Sequence, residues 1–158
     1  MKNMYHFTDG GLRNIWLANG FKLEKGPYGK VVTIEDQAGL TMAICKALAM
    51  KPAHLTGAEF RYVRQSMLLS QKSLGIQFGV TEQAVAKWEK TGKLPKYADS
   101  LIRVFFIAHS DGHEKVRNLV NAMNHTEQVI HLIMKETSKG WSYSEEIKVK
   151  KRNLEKTS

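Results

Sequence analysis

Leu68 to Lys93 reads LLSQKSLGIQFGVTEQAVAKWEKTGK, and this stretch decides the fold. Ser70 and Thr81 each stand just before a run of helix-forming residues, where a hydroxyl can accept from a free backbone N–H. Gly79 lies between the two runs, where the first helix must stop and the chain must turn through left-handed angles that cost glycine nothing. Val85 and Trp88, three apart, fall on the inner face of the second helix. Gly75, midway along the first helix, suits a close crossing by the second, despite about 1 kcal/mol of helix propensity lost relative to Ala. Two short helices joined by a turn of three or four residues is a geometry that offers its second helix to a DNA major groove. An ordinary helical hairpin with a tolerated glycine is the alternative. The small residue, the turn glycine and the inward pair, all in one register, favour the first reading.

Working outward, Thr56 is placed to cap the preceding helix, with Glu59 three residues on completing a capping box and Phe60, Val63 and Met67 on the inner face. Further upstream, Leu40, Ala43, Ile44, Ala47 and Leu48 recur at helical spacing over Asp36 to Ala49. Asp36 is placed to cap that helix, and Pro52 lies beyond its end. Before it, from Tyr5 to Thr33, Ile15-Trp16-Leu17, Phe21-Lys22-Leu23 and Val31-Val32-Thr33 read as a small antiparallel sheet, with Asn19-Gly20 favouring a tight hairpin. Gly10-Gly11 and Gly26-Pro27-Tyr28-Gly29 read as turns between strands rather than ligand loops.

Downstream, Asp111-Gly112 breaks the chain, and apolar stripes predict two further helices. Glu114 to Ala122 carries Val116, Leu119, Val120 and Met123 at its edge, and Glu127 to Lys135 carries Val129, Ile130, Ile133 and Met134. After Ser138-Lys139-Gly140 the chain turns basic and polar, which predicts disorder over Lys148 to Ser158. The expected class is therefore mainly α with a small β element. The expected organisation is a β-sheet plus helix module over 1–54 for dimerisation or partner binding, and a DNA-binding domain over 55–110. A helical extension over 111–140 that offers a dimer interface follows, and a basic disordered tail over 141–158.

Composition narrows the function classes. The 158 residues carry 24 Lys and Arg against 15 Asp and Glu, a net charge of +9 that suits a polyanionic partner. A single cysteine, Cys45, in an apolar helical stretch excludes a disulfide framework or a thiolate zinc site within one chain. His6, His54, His109, His113, His125 and His131 are scattered and form no His-Glu-x-x-His zinc pattern, and there is no phosphate loop or nucleophile elbow. The expectation is a protein that is not an enzyme and takes no cofactor or metal. With neither a signal-like leader nor an apolar run of about 18 residues, the expected location is cytoplasmic, with no membrane partner.

The quoted stretch resembles the Cro/phage-repressor (XRE) helix-turn-helix family, whose pattern is a Leu-Ser-Gln start, a small residue, a Leu-Gly-Val turn and a Val-x-x-Trp-Glu ending. Phe78 stands here in place of the usual Leu, and the likeness runs from Thr56 to the helix ending near His109. The resemblance implies a five-helix domain that binds double-stranded DNA, and it says nothing of the operator sequence. It also implies roles for residues. Gln71 looks like the family glutamine that anchors a helix end to phosphate. Thr81, Glu82, Gln83 and Lys87 fall at the exposed start and face of the recognition helix as base readers: Gln83 suited to adenine, Lys87 to guanine and Glu82 to cytosine N4. Lys90 and Lys93 suit phosphate. Arg64 and Glu89 match a family pair that forms an internal salt bridge. Gly75, Gly79, Val85 and Trp88 hold the geometry.

A second resemblance concerns the layout. A small amino-terminal module ahead of a Leu55-Thr56-Gly57-Ala58-Glu59-Phe60-Arg61 helix start looks like the carboxy-terminal half of MqsA-type antitoxins, although the cysteine pairs of their zinc module are absent here. Two expectations follow. The first is a homodimeric transcriptional regulator, a repressor on a palindromic operator. The alternative is an antitoxin that binds a cognate toxin and autoregulates its operon.

Overall fold

The computed structural model describes residues 3–112, 118 and 128–149. Five helices and six strands form among them. The helices are α1 (Gln37–Ala49), α2 (Gly57–Ser66), α3 (Gln71–Phe78), α4 (Glu82–Thr91) and α5 (Lys96–Ser110). The strands are β1 (Tyr5–His6), β2 (Trp16–Leu17), β3 (Phe21–Gly26), β4 (Gly29–Ile34), β5 (Gln128–Thr137) and β6 (Gly140–Val149), paired antiparallel as β1 with β2, β3 with β4 and β5 with β6. The architecture is thus mixed α and β, not mainly α.

Local chemistry sets the helix starts. Asp36 adopts φ 47° and accepts from the Gly39 N–H at 3.1 Å, opening α1. At α2 the capping box is complete: Thr56 Oγ1 accepts from the Glu59 N–H at 3.1 Å, and Glu59 accepts from the Thr56 N–H at 2.8 Å. Glu59 is nonetheless buried. Desolvation alone would raise its carboxyl, but Lys51 at 2.7 Å, the Thr56 N–H and the Asn14 amide outweigh that and hold it below the usual carboxylate range.

One buried cluster joins the amino-terminal segment to the helices. Phe7, Leu12 and Leu17 from the strands and their connections meet Ile44, Cys45 and Leu48 of α1, Phe60 and Val63 of α2, Leu74 of α3, Val85 and Trp88 of α4, and Ile102, Phe105 and Phe106 of α5. Four of the five helices lie within residues 57–110, and the fifth, α1, packs on α2 and α5. Its inner face is rotated from the expected stripe. Ile44, Cys45, Leu48 and Ala49 are buried and Leu40 is partly so, while Ala43 and Ala47 face solvent. Small alanines satisfy the apolar pattern without having enough surface to orient a helix. Burial pushes the Cys45 thiol up, as an inert thiol requires.

A buried carboxylate that the sequence did not flag ties α5 to the α1–α2 connector. Asp99 accepts from the Leu55 N–H at 3.1 Å and pairs with Arg103 at 3.3 Å, and the Arg103 guanidinium donates to the carbonyls of Lys51, at 2.6 Å, and Ala53.

Three sequence expectations are corrected. Asn19-Gly20 does not join paired strands, because β2 pairs back to β1. Gly20 (φ 78°) instead bends the chain into β3, and its carbonyl accepts from the Glu35 N–H at 2.8 Å. The hairpin turn is Pro27-Tyr28, between Gly26 and Gly29. The expected helix over Glu127 to Lys135 is strand β5, in register with β6 from Gln128 opposite Val149 to Thr137 opposite Gly140. Gly140 (φ 105°) makes the reversal, and the Thr137 hydroxyl donates to the Gly140 carbonyl at 2.7 Å. The same pairing places 141–149 in β6, against the disordered tail expected from 141 onward. Residues 150–158 lie outside the described residues, as does the helix expected over Glu114 to Ala122 apart from Asn118. Among the described residues no helix is long and apolar enough to cross a membrane.

Candidate nucleic-acid interface

The site is built on the turn between α3 and α4. Ser70 Oγ accepts from the Ser73 N–H at 3.0 Å and starts α3, leaving the N–H groups of Gln71 and Lys72 without a helix carbonyl to bond. Gly79 (φ 69°, ψ 30°) ends the helix, with the Val80 N–H donating to Gly75 O at 2.8 Å and the Gly79 N–H to Ile76 O at 3.4 Å. These paired bonds satisfy carbonyls a helix end would otherwise leave open. Thr81 then starts α4, its hydroxyl accepting from the Ala84 N–H at 3.1 Å.

Gly75 is required here for a reason other than the expected helix crossing. A Cβ on it would press on the Val80 carbonyl at 2.8 Å and on the Thr81 backbone at 3.3 Å, so the turn folds back onto its own helix. A glycine the sequence reading passed over works the same way. At Gly57 a side chain would collide with the backbone of Trp88 and Glu89, so the start of α2 abuts the end of α4.

The inner side of α4 is fixed by packing and charge. Val85 is fully buried, and Trp88 lies edge-on to Phe60 and to Tyr97, each at 6.0 Å between ring centroids. Phe78 lies edge-on to the same Phe60 at 6.5 Å. Arg64 clasps Glu89 with two bonds, Nε to Oε2 at 2.7 Å and Nη2 to Oε1 at 2.9 Å, and its Nη1 donates to the Leu69 carbonyl at 2.8 Å. Both side chains are buried, at 8% and 5% exposure. One guanidinium thus fastens α2 to α4 and to the residue before α3.

The outer side divides into two strips. Thr81, Gln83 and Lys87 are exposed, with Gln83 and Lys87 one turn apart. Glu82, Ala86 and Lys90 form the neighbouring strip and, with the buried Glu89 at its floor, line a cleft of about 630 Å³ with Arg61, Arg64, Ser70 and Gln71. Glu82 is therefore separated from the other three proposed readers and faces the Arg61 side. The Gln71 amide donates to Glu89 at 3.2 Å, so the glutamine expected to hold phosphate is itself positioned by the buried carboxylate. Lys93 is exposed in the loop beyond α4.

Sequence reasoning missed Arg61, and the signal was available. Arg61 stands three residues before Arg64 on a helix whose start was legible, but the sequence did not show which flank of α2 faces α3. With the Arg64 charge matched by Glu89, Arg61, Lys90 and the open amides at the start of α3 make the cleft suited to an anion. Glu82 opposes them from one wall. Among the described residues no three His, Cys, Asp or Glu side chains gather to hold a metal. No family model, curated protein or solved structure matches this chain.

Proposed function

We propose that this chain is a sequence-specific double-stranded DNA-binding transcriptional regulator, a repressor, in which α3, the Gly79 turn and α4 act as a Cro-like helix-turn-helix. The observation that carries the reading is the two-sided build of α4. Its inner side is clamped by Val85, Trp88 and the Arg64–Glu89 fork, and its outer side presents Thr81, Gln83 and Lys87 beside a cationic cleft. In this reading Gln83 and Lys87 meet base edges, and Arg61, Lys90 and Lys93 meet phosphates. Glu82 accepts from a base donor.

One short recognition helix reads few base pairs, so the chain acts as a homodimer with half-sites about 34 to 36 Å apart on a palindromic operator. Hairpin β5–β6 takes the place of the helix expected over Glu127 to Lys135 as the dimer surface. By register Leu132, Met134, Tyr143 and Trp141 share one face with Glu136 and Glu145, and all six are exposed.

Selection of bound duplexes from random DNA, followed by anisotropy titration of wild type and Gln83→Ala, tests the reading. The expected outcome is one enriched palindromic site, with Gln83→Ala losing about 1 to 3 kcal/mol on it and relaxing preference at one base position. Failure to enrich any site, or equal losses on random and selected DNA, overturns base readout by α4.

A further inference from the structure

We propose that hairpin β3–β4 is a second DNA contact, a basic finger that grips the phosphate backbone beside the α4 site, and this rests on the DNA-binding reading above. The register places Lys25 directly opposite Lys30, next to the turn that carries Tyr28. Both lysines are exposed, and Tyr28 is fully so. Like charges facing each other across two strands weaken a hairpin, so the pair does not hold the two strands together. Lys22, nearer the root, is matched by Glu35 at 4.0 Å, whereas neither Lys25 nor Lys30 has a carboxylate partner among the described residues. Strand alternation puts Glu24 on the opposite face from the lysine pair, so the face with Lys25 and Lys30 carries no acid. Two unmatched ammonium groups on one face are complementary to consecutive phosphates.

The root is held while the tip is free. Phe21 and Ile34 pack against the buried cluster, the Phe21 ring lies 5.4 Å from that of Tyr5, and the Glu35 N–H bonds to Gly20 O. Six residues per strand at about 3.3 Å each give the finger a reach of about 20 Å. Its root connects to the cleft through α1 and α2. The hairpin runs straight into α1, whose Gln37 and Thr41 share a small cavity with Tyr62, Gln65 and Ser66 of α2. One turn back along α2, Arg61 lines the cleft at the start of α3. Leu23 and Val31 are exposed too, but they lie on opposite faces and form no apolar patch for a protein partner.

The test is anisotropy titration of full-length protein on a mixed-sequence 30-base-pair duplex and on the selected site, from 50 to 200 mM KCl. Lys25→Gln/Lys30→Gln is compared with wild type and with a charge-matched control in the other hairpin, Lys135→Gln/Lys139→Gln. The expected result is a log–log salt slope shallower by about two units per protomer, hence about four for the bound dimer, with affinity at low salt down at least on the order of tenfold on both duplexes and the control unchanged. An unchanged slope in the β3–β4 variant, with Gln83→Ala still weakening the selected site, overturns the finger and leaves α4 readout standing. An equal loss in the control overturns it as an effect of net charge. A wild-type protein without affinity for either duplex overturns both readings.

Discussion

Arg64 shows how one side chain joins fold to site. Its fork onto Glu89 is bidentate and almost dry, and Glu89 also receives Gln71, so the α2, α3 and α4 junction converges on one carboxylate. Removing the guanidinium leaves that carboxylate buried and unpaired. Arg64→Ala should cost about 3 to 5 kcal/mol, read as a lower urea midpoint at constant m-value, and Arg64→Lys should recover only part because an ammonium cannot make the fork. An unchanged midpoint would exclude the buried bridge. Glu59 makes a pH-dependent contribution. Its folded carboxyl is held below the unfolded value, so its stabilisation is fully present above the unfolded value of about 4.3 and is lost as pH falls through the lower folded value. Glu59→Gln should therefore show a flatter fall in melting temperature below about pH 4 than wild type; an identical acid limb would refute the contribution. Both residues stood in the sequence as members of pairs, one through family likeness and one through capping spacing. What spacing could not show was that Lys51 and Asn14 come to Glu59, or Asp99 to Leu55, because those partners meet only through tertiary packing.

At the scale of elements, ends and turns were legible where one residue has one job. Ser70, Gly79 and Thr81 bracket α3 and α4 as read, and Thr56 with Glu59 opens α2. The downstream segment failed for a reason that lies in its pattern. Val129, Ile130, Ile133 and Met134 fit a helical stripe, yet Ile130, Leu132 and Met134 also alternate, and so do Trp141, Tyr143 and Ile147 across the Gly140 turn. A short apolar run satisfies both periods, and only the paired alternation decides for strand. Asn19-Gly20 erred differently: a hairpin dipeptide permits a reversal without choosing which strands pair. The turn between α3 and α4 gives the element-scale prediction. Gly79→Ala places a Cβ at φ 69° and should destabilise by roughly 1 to 2 kcal/mol, and Gly79→Asn by less, since Asn tolerates left-handed angles. Equal stability of all three proteins in urea would show that the turn relaxes out of that conformation.

Over the whole molecule, the buried cluster and the β5–β6 hairpin should be separable in stability. The cluster draws on every helix and on the amino-terminal strands, and among the residues whose burial is described none of β5 or β6 belongs to it. A lone two-stranded hairpin is marginal in water, and this one exposes Leu132, Met134, Tyr143 and Trp141 on one face. A second copy offers that same face in return, which is the self-complementarity a two-fold dimer needs. Burying these four side chains, with Glu136 and Glu145 left at the edge of the contact, would stabilise the hairpin and would also hold two α4 helices for two half-sites. Leu132→Lys/Trp141→Lys should therefore be a monomer by light scattering at micromolar concentration, and wild type should be a dimer. Its helical melting transition should stay at that of the dissociated wild-type protein, because the cluster loses nothing. On DNA the variant should keep its contacts with a single half-site but lose the added affinity for the full palindrome, so that half-site and palindrome bind alike. A variant that still scatters as a dimer, or a wild type that is monomeric both free and on the palindrome, would remove the hairpin from the interface and return the question of dimerisation to the rest of the chain.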